Sequence, residues 1–132
     1  VKDCDFPFFS KSFIASKENA ILARDEVQDF LLKNKISEKI IYKVMLIIEE
    51  SSMMVVEKNS KKKLIIQFTL QIHNNEVLIF ERDNGIHFEL SDTDAKITDF
   101  RQYFYNSLLD SYFHKQYFLT IDYNRNIFSI KR

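Results

Sequence analysis

The stretch Ser37–Asn59, SEKIIYKVMLIIEESSMMVVEKN, carries the longest unbroken helical pattern in the chain. Ser37 is placed to cap its start, and Glu38 puts an acid in the first turn, which the helix dipole favours. Ile41, Val44, Met45, Ile48, Ser52 and Val55 recur at spacings of three and four, so they share one face. Such a face has to be buried, and a sheet is its expected partner. A second stripe on the same helix is Ile47, Glu50, Met54 and Glu57. Glu50 falls inside an apolar run, where a carboxylate needs a task or a partner unless it simply faces water.

The chain has 132 residues, enough for one domain with a proper core. Lys+Arg and Asp+Glu both number 19. That balance offers no basic face for nucleic acid, and Lys61-Lys62-Lys63 reads as a solvated turn. No run approaches the ~20 apolar residues of a membrane span. The single Cys4 excludes an internal disulfide and suits a reducing compartment, so a cytoplasmic location is expected. A start at Val1 rather than Met leads to the expectation of a domain cut from a longer protein.

Around the long helix the pattern switches to short strands. Phe8–Ile14 alternates loosely after Pro7, as an edge strand would. Ser16 to Asn34 has Ala20, Ala23, Val27, Phe30 and Leu31 at helical spacing, with Ser16 as N-cap and Asn34 as the stop. Leu64–Ile72 and Val77–Phe80, with the latter extended to Asp83, form a hairpin around Asn74-Asn75. Asp99–Tyr112 has helical spacing. Tyr117–Ile121 and Ile127–Ile130 are strand candidates joined by a turn at Asp122-Tyr123-Asn124-Arg125. Strands grouped without alternating helices indicate an α+β fold. The expected architecture is a two-layer sandwich, with helices on one face of a mixed, mostly antiparallel sheet.

The only glycine lies in Asp83-Asn84-Gly85. On its own, Asn-Gly signals a tight turn with positive φ. The order of the pieces suggests something more. A helix with an internal Glu, a hairpin, Asp-x-Gly at a strand end, then a helix and two strands resembles the GHKL (histidine-kinase-like) ATPase family. The closer likeness is to its anti-sigma-factor serine kinases. KVMLIIEESSMMVVEK resembles the N box of that family, and VLIFERDNGIHF resembles its first glycine box. FIASKENAILARDEVQDFLLKNKIS resembles its first strand and helix, and LLDSYFHKQYFLTIDYNRNIFSIKR its closing helix and hairpin.

The resemblance implies that Glu50 is the general base, that the Asp83 carboxylate accepts the adenine amino group, and that Gly85 lets adenine approach the backbone. Met54 stands where the family has a magnesium-binding asparagine, and a thioether is a poor ligand for a hard cation. Lys58 stands one turn later, where the family has a basic residue or histidine. Asp99–Phe104, at the place of the second glycine box, has no glycine to let backbone N–H groups cradle phosphates. The expectation is therefore a degenerate domain: no cofactor, or ATP with Mg²⁺ held only weakly, and a regulatory role with a protein partner. The alternative is an active ATP-dependent serine kinase with Glu50 as base. Relatives of this kind dimerise through the first strand and helix. Homodimerisation or partner binding near Phe8–Ile14 is therefore expected, unless Phe6, Phe8, Phe9 and Phe13 fill the core. With the site degenerate, Glu50 is expected to need a partner; the candidates are Lys58 and Arg101, of which Arg101 is favoured.

Overall fold

The computed structural model of the protein describes residues 6–58, 64–85, 114–119 and 124–132. The chain runs β1 (Phe8–Ile14), α1 (Lys17–Lys33), α2 (Glu38–Lys58), β2 (Ile65–Ile72), β3 (Glu76–Asp83), β4 (His114–Leu119) and β5 (Asn124–Lys131). The expected helix at Asp99–Tyr112, together with Cys4, Lys61–Lys63 and Arg101, lies outside the described residues.

The strands form one five-stranded sheet in the order β1-β2-β3-β5-β4. Every described pairing is antiparallel, so the expected mixture of directions is corrected. Hairpin-like neighbours explain this: β2 and β3 turn back through Asn74-Asn75, where His73 N–H donates to Glu76 O at 2.8 Å. β5 begins earlier than Ile127, because Asn124–Asn126 pairs with Glu81–Asp83 instead of turning. β4 is likewise displaced, to His114–Leu119.

Alternation divides the sheet into two faces. Ile66, Phe68, Leu70 and Ile72 of β2, Val77 and Ile79 of β3, and Phe128 and Ile130 of β5 are buried on one face. They share a single core with Val27 and Leu31 of α1 and with Val44, Ile47, Ile48, Met54 and Val55 of α2. The apolar face expected for α2 is thus buried, but the buried arc is wider than Ile41/Val44/Met45/Ile48/Val55. Ile47 and Met54 belong to it, and Met45 is only partly buried. Ser51 and Ser52 sit in that arc at no polar cost. Their hydroxyls donate to Ile47 O at 2.6 Å and Ile48 O at 2.7 Å.

The β1 rings divide by parity. Phe13 is buried and stacks on Phe68 at 6.1 Å, and Phe9 packs on Phe30 at 5.4 Å. Phe8 faces out, and Phe6 lies 4.5 Å from the His73 ring. Some of these rings fill the core, and Phe8 does not.

The helices stop for local reasons. Ser16 Oγ accepts from Asn19 N at 3.1 Å, capping α1 as expected. At its other end Ile36 N–H donates to Leu31 O and Lys35 N–H to Leu32 O, both at 3.1 Å. This is a Schellman close, with Ile36 buried beside Leu31. Its left-handed position is held by Lys35, φ 58°, where glycine is the favoured residue. Lys35→Gly is expected to stabilise the fold by about 1 kcal/mol, raising Tm by about 4 °C. An unchanged or lower Tm in calorimetry would count against this reading of the cap.

Candidate functional site

β3 and β5 lie side by side, and their inner faces change character together. On β3 the inward positions run Val77, Ile79, Glu81, Asp83; on β5 they run Asn124, Asn126, Phe128, Ile130. Antiparallel register sets Glu81 against Asn126 and Asp83 against Asn124. One end of the sheet's core face is therefore polar, formed by two carboxylate–amide rungs.

All four side chains are buried. Asn126 Nδ2 donates to Glu81 Oε1 at 2.8 Å, and Asn124 Nδ2 donates to Asp83 Oδ1 at 3.0 Å. Gly85 N–H donates to the same Asp83 Oδ1, also at 3.0 Å. A hydrogen bond to a charged group contributes ~1.5–3 kcal/mol, which offsets part of the desolvation of these acids. Among the described residues, Asp83 Oδ2 and Asn126 Oδ1 are buried acceptors with no hydrogen-bond partner. Leaving such an atom unmet costs ~1–3 kcal/mol. The arrangement can receive N–H or O–H donors from a bound group.

Asp83 and Gly85 are thus brought together directly, and Asn84 has its own task. Its Oδ1 accepts from Ile65 N at 2.9 Å, tying the end of β3 back to the start of β2. The tight positive-φ turn that Asn-Gly suggests is not formed, since no described glycine has positive φ. The glycine is used for its N–H, in a turn closed by the Asp83 side chain.

The other sequence-derived residues are on α2. Glu50, Met54 and Lys58 occupy successive turns of this helix, Lys58 as its last residue. Glu50 is half-buried. Its neighbour Glu49 takes Arg24 Nη1 of α1 at 3.3 Å, an ion pair between the two helices. Met54 is 1% exposed and lies in the hydrophobic core. Among the described residues no group of three or more His, Cys, Asp or Glu side chains is placed to hold a metal ion.

Glu81, Asn124 and Asn126 were not among the residues that the sequence reading placed in the site. A signal existed for Glu81, which stands two residues before Asp83 and so on the same face of its strand. Asn124 and Asn126 were hidden because the β5 pattern was read from its apolar half alone.

The fold and this polar end define a two-layer α+β domain with an amide-clamped acidic pair in its sheet. No family model matches the chain, and no curated protein is significantly similar to it. No helix among the described residues is long and apolar enough to cross a membrane.

Proposed function

We propose that this chain is a degenerate histidine-kinase-like ATPase domain with a regulatory, protein-binding role resembling that of anti-sigma factors. The observation that carries the reading is the state of Asp83. It is buried at the end of β3, one carboxylate oxygen is fixed by Gly85 N–H and Asn124, and the other has no hydrogen-bond partner among the described residues. A fixed buried acceptor beside a glycine is what recognition of an exocyclic amino group requires. The core position of Met54 supports the loss of the metal end, because a thioether packed among aliphatic side chains offers nothing to Mg²⁺.

Calorimetry with ATP tests this reading. Weak binding or none is expected, with little change on adding Mg²⁺. A micromolar Kd, about −8 kcal/mol, that tightened with Mg²⁺ would overturn it. A second reading, an active serine kinase, draws on the half-buried position of Glu50 on α2. The two separate on Glu50→Gln. Under the degenerate reading the wild type transfers no phosphate, so the variant has no activity to lose. In a kinase the variant loses transfer while nucleotide binding persists, because the base acts on the nucleophile and not on the adenine.

A further inference from the structure

We propose that the sheet face turned away from the helices binds a small phosphate monoester carried on a flat apolar body. Both described helices pack on the core face. The opposite face presents Gln67 and Thr69 of β2, Phe80 and Arg82 of β3, and Arg125 and Ile127 of β5, each half-buried or exposed. These residues line a groove of about 350 Å³. That is the volume of a small-ligand site.

Register arranges the lining in rows across the strands. One row is Gln67, Arg82 and Arg125, and the next is Thr69, Phe80 and Ile127. Two arginines thus stand directly opposite each other. Like charges so placed repel and weaken the strand pair. The same two strands do the reverse at their other end, where Glu76 stands opposite Lys131. Among the outward positions of β1, β2, β3 and β5, Glu76 is the only acid, and it belongs to that pair. Arg125 is exposed and has no ion pair among the described residues. Arg82 has an interaction of its own. A guanidinium has five N–H donors, so one partner leaves donors to spare. Arg125 therefore supplies the charge for a bound anion, and Arg82 adds donors beside it.

Donor count selects the anion. A carboxylate offers two oxygens, which a single arginine fork satisfies. A phosphate monoester offers three, with a charge of about −1.5 to −2 at pH 7, and suits two forks on adjacent strands. Phe80 and Ile127 in the next row give an apolar ring on the ester a surface to rest on. Ser10 Oγ holds Thr69 Oγ1 at 3.1 Å and Gln67 Nε2 at 3.3 Å, which fixes the β2 wall of the groove. A nucleic-acid strand fits less well. Its diesters carry a single charge each and recur along the chain, whereas the opposed arginines form one row alone.

The test titrates the whole protein with phenyl phosphate and follows backbone amide shifts by NMR. The amides of Gln67, Arg82, Arg125 and Ile127 are expected to move, and those of α1 and α2 to stay. Inorganic phosphate, which lacks the ring, and benzoate, which has the ring on a carboxylate, should each bind at least tenfold more weakly. Arg125→Gln, a change at an exposed position, should weaken phenyl phosphate at least tenfold. Arg125→Glu should abolish binding. It also sets an opposite charge across from Arg82, so Tm of the free protein should rise by about 2 °C. Equal binding of either control, shifts confined to the helices, or unchanged binding in Arg125→Gln would each overturn the proposal. So would a lower Tm in Arg125→Glu, which would make Arg125 a structural member of the sheet. A ten-nucleotide single strand binding tenfold more tightly than phenyl phosphate would overturn it in favour of nucleic acid. The groove lies on the face opposite Asp83, and phenyl phosphate has no amino group for that carboxylate. These outcomes therefore stand or fall apart from the function proposed above.

Discussion

Met54→Asn is expected to destabilise the protein by about 3–5 kcal/mol, a large share of the 5–15 kcal/mol typical of a domain. The residue is 1% exposed and surrounded by the core that α2 shares with the sheet. Truncating the side chain loses its burial and leaves space, at a cost of ~2–5 kcal/mol for a methionine cut back to Ala. The shorter asparagine leaves a similar void. It also brings a polar amide into a hydrophobic core, where an unpaired buried amide costs a further ~1–3 kcal/mol. From the family resemblance the same change looks like repair of a metal site. Denaturant unfolding with and without Mg²⁺ separates these views. A variant as stable as the wild type, gaining stability with added Mg²⁺, would mean that Met54 borders a ligand site and not only the core.

The polar end of the sheet gives the second large effect. Asn126→Ala removes the amide that donates to Glu81 Oε1 at 2.8 Å and leaves a carboxylate buried without that donor. A loss of about 3 kcal/mol is expected, since a buried acceptor left without its donor costs its desolvation penalty, ~1–3 kcal/mol and more for a charged group. Replacing both members, Glu81→Leu with Asn126→Leu, should recover most of that loss, because an apolar pair of similar size needs no donors. The comparison also addresses why the rung exists. If the double variant is at least as stable as the wild type, stability does not account for Glu81 and Asn126, and a role in recognition does. If it is much less stable than Asn126→Ala, the rung is a structural element of the β3–β5 pair and its acceptors are not a recognition feature.

Local features were legible in the sequence because their physics is local. Ser16 and Asn34 mark the ends of α1 through their own side chains and spacing, and the structure has both at those positions. The period of α2 fixed a helix with a buried face, and the β-branched and aromatic content of Leu64–Ile72 fixed a strand. Asp83 and Gly85 are two residues apart, so their pairing needs only a turn.

Contacts between distant segments were a different matter. The Asp83–Asn124 and Glu81–Asn126 rungs join residues 41 and 45 positions apart. They exist because β5 lies beside β3 in one particular register; a shift of one residue would turn every one of these side chains to the other face. The direction of the strands, the burial of Met54 and the opposition of Arg82 to Arg125 likewise follow from which elements are neighbours. The sequence by itself determined α1, α2 and the first three strands, their order, and most of the face that α2 buries. The tertiary structure alone decided which polar residues meet, because sheet register is set by the packing of the whole layer and no single strand carries it.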